Sequence, residues 1–222
     1  MSRAWSSVLI AVALTVSCSG SKTSTSVVPT NGLQPQFGVL HLLGGDVEMR
    51  IGSSASFRAG VADTELHGGD AVRTGADGRA EIAFFDGSIT RLDHDSSFEL
   101  LKVGTQNSTR TFSGQQTGRT YVSVGVIPEI PASFRVEGPT SISSTEGGGI
   151  FVLDDSSRSS ASLDVLDGTV MMLPASSPGG EATRVSSGQE AVIIGKSIDT
   201  SKVGGGTSPW VAFNESHNVG TG

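Results

Sequence analysis

Apolar and polar residues alternate with a period of two along most of this chain, and glycine-bearing turn phrases cut the alternation into short pieces. In Asp46-Val47-Glu48-Met49-Arg50-Ile51, the residues Val47, Met49 and Ile51 share one face, while Asp46, Glu48 and Arg50 share the other. Only an extended strand separates the two sets so cleanly, because its successive side chains point to opposite sides. Ala80-Glu81-Ile82-Ala83-Phe84-Phe85 and Tyr121-Val122-Ser123-Val124-Gly125-Val126 repeat the pattern. Shorter predicted strands cover residues 69–74, 88–92, 98–103, 133–137, 150–153, 163–166, 169–173 and 191–194. Beyond the N-terminal segment, no apolar i, i+3, i+4, i+7 pattern persists for three turns. The chain is rich in glycine (30 of 222 residues) and only 5% aromatic, which suits turns and short strands. The predicted fold class is all-β.

The punctuation repeats as well. Phe85-Asp86-Gly87-Ser88-Ile89 and Leu166-Asp167-Gly168-Thr169-Val170 are one phrase: apolar, Asp-Gly, hydroxyl, apolar. Asp-Gly favours tight hairpins, whose central residues need positive φ. Looser versions surround Gly45, Gly69 and Gly188. Gly45, Gly69 and Gly87 are separated by roughly 20 residues, within the range of stacked β units. These observations predict a β-solenoid-like or β-roll module with glycine corners, flanked by disordered tails. Residues 104–118 read as a loop or irregular hairpin joining two halves, about 37–103 and 119–195.

The N-terminus carries an export pattern. Arg3 precedes a mostly apolar segment from Trp5 to Val16, apolar without polar interruption from Val8 to Leu14, and a Ser/Gly/Thr-rich stretch follows Cys18. The run is too short to cross a bilayer comfortably, since a span needs roughly 20 apolar residues. Leu14-Thr15-Val16-Ser17-Cys18 resembles the lipobox of bacterial lipoproteins, although Thr15 stands where that pattern usually has Leu, Val or Ile. The resemblance implies a signal peptide at residues 1–17 and a lipid on Cys18. An ordinary cleaved signal or an uncleaved anchor are the alternatives. Cys18 is the sole cysteine, so no internal disulfide forms. Residues 18–36, interrupted by Pro29, Gly32 and Pro35, read as a flexible tether. Residues 196–222 read as a flexible tail hinged at Gly204-Gly205-Gly206, in which Pro209 starts a helical turn and Trp210 packs back on the sheet. The formal charge of −7 argues against a nucleic-acid partner.

Several phrases together resemble the periplasmic domain of FecR-type proteins. They are Gly45-Asp46-Val47, then Gly69-Asp70-Ala71-Val72-Arg73-Thr74-Gly75, Gly78-Arg79-Ala80-Glu81-Ile82 and Asp86-Gly87-Ser88-Ile89-Thr90-Arg91-Leu92. The second half adds Phe134-Arg135-Val136-Glu137-Gly138-Pro139-Thr140, Leu166-Asp167-Gly168-Thr169-Val170 and Ser187-Gly188-Gln189. The resemblance implies an extracytoplasmic β module in which Gly69, Asp70, Thr74, Gly75, Asp86, Gly87, Ser88, Gly168 and Gly188 serve as structural turn residues. One phrase departs: Glu146-Gly147-Gly148 stands where the family commonly has Arg-Gly-Thr. Known members regulate sigma factors through a cytoplasmic segment. Met1 to Ala4, ahead of the apolar run, are too few for that role, so the expectation is the module without anti-sigma activity.

Catalytic patterns are weak. Asp93-His94-Asp95, with Glu65, His67 and Asp70 nearby in sequence, offer metal-type ligands, but adjacent strand residues face opposite ways. A solvated turn is the better reading. The four histidines, His41, His67, His94 and His217, lack zinc spacing. No Gly-x-Ser-x-Gly elbow occurs, and Gly147-Gly148-Gly149 lacks the Lys-Ser/Thr of a phosphate loop. No cofactor or metal is expected, and the chain reads as a non-enzyme. The expected localisation is extracytoplasmic, at the cell membrane, with a protein partner in the envelope. A cell-wall glycan or small ligand is the alternative, for which Tyr121 and Trp210 are the obvious stacking aromatics besides the phenylalanines.

Overall fold

A computed structural model describes residues 36–106, 109–204 and 208–218. The expected signal peptide, Cys18 and nearly all of the expected tether lie outside the described residues. The architecture is all-β. Its strands, in chain order, begin with β1 (Gly38–Gly44), β2 (Val47–Arg50), β3 (Arg58–Ala59), β4 (Thr64–Leu66) and β5 (Ala71–Thr74). They continue with β6 (Arg79–Phe84), β7 (Ile89–Leu92), β8 (Ser97–Gln106), β9 (Thr109–Val124), β10 (Ala132–Glu137) and β11 (Ser141–Glu146). The last are β12 (Gly149–Asp155), β13 (Ser160–Pro174), β14 (Thr183–Ser186), β15 (Gln189–Ile194) and β16 (Ser197–Lys202), followed by one helix, α1 (Pro209–Asn218).

Two long strands organise these elements. The first half of β9 pairs with β8 and β10, and its second half pairs with β7 and β12. Likewise β13 pairs with β12 and β15 early, then with β11 and β14. The pairings β9–β10–β11–β13–β12–β9 close a five-stranded barrel. On the other side of β9, the order β9–β7–β6–β1–β4 runs along one layer and β9–β8–β5–β2–β3 along the other. One apolar cluster fills the space between, from Leu40 through Phe98, Phe112 and Phe134 to Leu163 and Ile193.

This arrangement corrects the expected solenoid or roll. Neighbouring coils of such a fold run parallel, whereas every strand pairing here is antiparallel except β9–β10. The glycine corners exist, but some of them move a strand from one layer to the other. Gly118 (φ 88°) does this within β9 and Gly168 (φ 80°) within β13. The Asp167-Gly168 phrase, expected as a tight turn, is therefore a bend inside one continuous strand.

Two further expectations change. Residues 104–118 were expected as a loop or irregular hairpin and belong largely to β8 and β9, an extended antiparallel hairpin. Their inward positions are occupied by Phe112, Gly114 and Gln116, and a strand with so few apolar residues hides its alternation. The expected flexible tail contains β16 and α1. β16 is an exposed polar edge strand held by backbone pairing to β15, so its side chains carry almost no pattern. α1 is longer than the single turn expected, and Trp210 is buried as anticipated.

One cross-strand pair works against stability. Asp164 and Glu190 lie directly opposite each other on β13 and β15. Burial, together with the Glu190 charge, raises the Asp164 carboxyl above its ordinary range. A carboxyl raised on folding binds its proton more tightly in the folded state. Its stabilising share is thus present below its unfolded value and lost as pH rises through the folded one. Asp164→Asn is expected to raise stability at neutral pH by about 0.2–1 kcal/mol and to flatten this acid-side dependence. Urea titrations at pH 7 and pH 4 check both; a variant less stable than the parent at pH 7 would contradict the assignment.

Candidate functional site

Most of the residues singled out by the family phrases lie at or beside turns, while Thr74 ends β5 and Gly168 bends β13 from within. Asp70 is buried, and its carboxylate accepts hydrogen bonds from the Gly52 amide (2.6 Å) and the His67 amide (2.7 Å). The Gly69 amide, at φ 96°, donates to the Leu100 carbonyl. Thr74 Oγ1 donates to the Asp93 carbonyl (2.6 Å) and accepts from the Ser96 amide (3.0 Å). The Gly75 amide donates to the Asp46 carbonyl, and its carbonyl accepts from the Asp95 amide. Gly188 (φ 77°) joins β14 to β15. These groups tie one turn to the next.

The metal-type cluster does not assemble. Asp93 is buried, and its carboxylate accepts from Arg79 Nε (3.1 Å) and pairs with Arg119 Nη2 (3.2 Å). His94 is half-exposed beside Asp95. Among the described residues, no group of three or more His, Cys, Asp or Glu side chains is placed to hold a metal ion. Tyr121 and Trp210, the expected sugar-stacking candidates, are both buried where α1 packs on the sheet. Asn218 Nδ2 donates to the Tyr121 hydroxyl (2.8 Å), and burial raises that phenol above its ordinary range. Beneath the same helix, Arg91 pairs with Glu81 (2.7 Å) and donates to the Asn214 carbonyl (3.1 Å).

The Asp86-Gly87-Ser88 phrase builds more than a turn. The Gly87 amide donates to the Phe84 carbonyl and the Phe84 amide to the Ser88 carbonyl, with only Gly87 at positive φ. This is the three-residue hairpin loop with a glycine bulge. Asp86 Oδ1 accepts from the Ser88 amide (2.9 Å) and Oδ2 from the Ser88 hydroxyl (2.9 Å). The same carboxylate pairs with Arg110 Nη1, and both side chains are almost fully buried. Arg110 also donates from Nη2 to the Gly125 carbonyl (3.0 Å) and from Nε to the Ile130 carbonyl (3.2 Å), while its amide donates to the Pro131 carbonyl (2.9 Å). Ser88 Oγ accepts from the Gly125 amide (3.0 Å). One buried ion pair therefore grips both ends of the loop Gly125-Val126-Ile127-Pro128-Glu129-Ile130-Pro131.

That loop is apolar and exposed. Val126 is 73% exposed, and Ile127 and Ile130 are each 37% exposed. The Ile130 amide donates to the Ile127 carbonyl (3.1 Å), closing a turn around Pro128 and Glu129. Val126 lies over Gly148, where an added Cβ would come within 2.2 Å of Val126 Cγ2. The departing phrase Glu146-Gly147-Gly148 thus seats Val126 with its second glycine. Its acid, Glu146, stands exposed opposite Ser133, close to where the loop enters β10. Sequence reasoning missed Arg110, whose role depends on contacts from distant segments. The loop had a signal: an apolar run broken by Pro128 and Pro131 cannot be a central strand.

Residues 70–171 match the model of the FecR protein family. The chain carries a FecR-type domain. The match takes in Asp70, Thr74, Gly75, Asp86, Gly87, Ser88 and Gly168, with Gly69 and Gly188 outside it. It also includes Arg110 and the 125–131 loop, so the FecR-type domain contains the clamp and what it clamps. Two crystal structures of a candidate anti-sigma factor from Parabacteroides distasonis are similar in fold, at 12% and 13% identity and a TM-score of 0.48. Each alignment covers 60% of this chain and 59% of that one. At that level the likeness transfers no activity. Among curated proteins, no match to this chain was found.

Proposed function

We propose that this FecR-type protein is a non-enzymatic, lipid-tethered envelope module that docks another protein through its 125–131 loop, as a signalling or scaffolding element. The observation that carries the reading is the exposed Val126, Ile127 and Ile130 on a base made rigid by the buried Asp86–Arg110 pair. Leaving apolar groups in water forfeits roughly 25 cal/mol for each Å² they would bury. A rigid base also lowers the ordering cost of binding. A loose loop would fold its apolar residues back; this one is held out. Glu129 and Glu146 flank the apolar triad, so the complementary surface is an apolar pocket edged by Lys or Arg. The composition boundary at Cys18 supports attachment to a membrane, and the polar stretch after it supports a spacer that sets the module's reach.

The test is photo-crosslinking from a photoreactive residue replacing Ile127 in the full chain, expressed in its own envelope. A discrete protein adduct in the membrane fraction is expected. It should vanish with Ile130→Asp or Glu129→Lys, and the protein should leave the membrane fraction with Cys18→Ala. Adducts confined to lipid, or a protein adduct indifferent to both loop substitutions, would overturn the reading.

A further inference from the structure

A second site lies at the other end of the same strands. A cleft of about 420 Å³ opens on the outer side of β2, β5, β8 and β9, between Phe57 and the Gly138-Pro139 turn. Its Gln115 lies roughly 17 Å along β9 from Arg110, the residue that grips the 125–131 loop. Strand register builds its floor. Arg50 lies opposite Ala71, Ala71 opposite Glu99, Glu99 opposite Gln115, and Gln115 opposite Glu137. The next rung places Ser97 opposite Thr117, their hydroxyls 2.6 Å apart. The small Ala71, buried between Arg50 and Glu99, lets the arginine reach across to the carboxylate.

The chemistry of this floor is specific. Each carboxylate is matched by an arginine: Arg50 Nη2 donates to Glu99 (2.7 Å) and Arg135 Nε to Glu137 (2.8 Å). Both carboxylates of the floor are thus paired, Glu137 by an arginine that stands just outside the lining residues. Arg50 Nε has no hydrogen-bond partner. Gln115 and the two hydroxyls each offer both donors and acceptors. The walls are apolar: half-buried Phe57, braced by the Arg73 guanidinium 4.3 Å from its ring centre, and exposed Pro139. Strands β5, β8 and β9 are paired on both sides, so no free backbone edge is offered for strand addition. Recognition must come from side chains.

We infer that this cleft binds an uncharged saccharide. Such a ligand combines neighbouring hydroxyls, which pair with carboxylate, amide and hydroxyl groups, with C–H faces that lie against Phe57 and Pro139. The volume falls within the usual range of small-ligand sites, about 300–1,000 Å³. An anionic ligand finds no unpaired cation on the floor, and a protein finds no large exposed apolar anchor there.

Titration calorimetry of the detergent-solubilised full chain with chitotriose, cellotriose and maltotriose, and with trigalacturonate as the anionic contrast, tests this. Saturable binding of at least one neutral trisaccharide is expected. Gln115→Ala and Glu99→Gln should each weaken it about tenfold or more with unchanged circular dichroism, and Ile130→Asp should leave it intact. Absence of saturable binding by all three neutral sugars, tighter binding of trigalacturonate, or affinity indifferent to both floor substitutions would overturn the assignment. Because Ile130 belongs to the other surface, failure here is distinguishable from failure of the protein-docking reading.

Discussion

Replacing Asp86 with Ala is expected to cost about 3–5 kcal/mol, because it leaves the buried Arg110 guanidinium without its counter-charge. The side chains of Asp86 and Arg110 are 0% and 3% exposed, so water cannot take over the lost role. The variant also removes the acceptor for the Ser88 amide and hydroxyl. Urea unfolding should show a lower midpoint with an unchanged slope. The loop should loosen too, since Arg110 fixes the Gly125 and Ile130 carbonyls. Amide exchange at Ile130, whose N–H closes the loop turn, is expected to accelerate beyond what the global destabilisation explains. Removing both charges together, as Asp86→Leu with Arg110→Met, should cost less than the single change, as buried pairs commonly do. A single variant within about 1 kcal/mol of the parent would show that the pair is hydrated and not a clamp.

Gly118→Ala is the second large effect. Gly118 sits at φ 88°, where a side chain costs about 1–2 kcal/mol, and its added Cβ would meet Ser96 Cα at 2.7 Å. That contact is with backbone, so a rotamer change cannot relieve it. The Ser96 segment would have to move, and it is held by Thr74 Oγ1 and by the Arg119 amide, which donates to Ser96 Oγ. The expected total is about 3 kcal/mol or more, in the range reserved for strain and overpacking together. Gly188→Ala is the internal control. Its φ is 77°, but nothing lies within 4 Å of the added Cβ, so only the conformational cost of about 1–2 kcal/mol remains. Denaturant midpoints of the two variants separate the steric part from the backbone part. Equal losses would mean that the bend in β9 yields freely.

The strands with clean alternation were legible because one side of each is buried. In β2, Val47 and Met49 face the core, and in β6, Ala80, Ile82 and Phe84 do. β11 was missed because Ser141, Ser143 and Thr145 take three of its four buried positions, beside Ile142, and no hydropathy pattern marks them as interior. Ser141 Oγ has a partner there, donating to the buried Asp155 carboxylate (2.7 Å), whereas the buried Ser143 hydroxyl has none. The candidate sites were less legible still. The loop clamp joins residues 86, 110, 125 and 130, and the cleft floor joins side chains from five strands. Only register brings such residues together.

The two Asp-Gly phrases draw the line between the levels. Local chemistry alone determined that Gly87 and Gly168 take positive φ, because glycine lacks the Cβ that forbids it. It also determined an all-β chain, through side chains that alternate in and out. What each phrase became depended on where the flanking backbone found its hydrogen bonds. At Gly87, Phe84 and Ser88 bond each other, so the chain reverses. At Gly168, the carbonyl accepts from the Ser187 amide and Val165 bonds Gly188, so both sides are already paired with another strand and the chain bends without reversing. A backbone group can complete its hydrogen bond locally or across a sheet at similar free energy. The sequence phrase is therefore the same in both places, and the neighbours present in the folded molecule decide whether it ends a strand or carries it into the next layer.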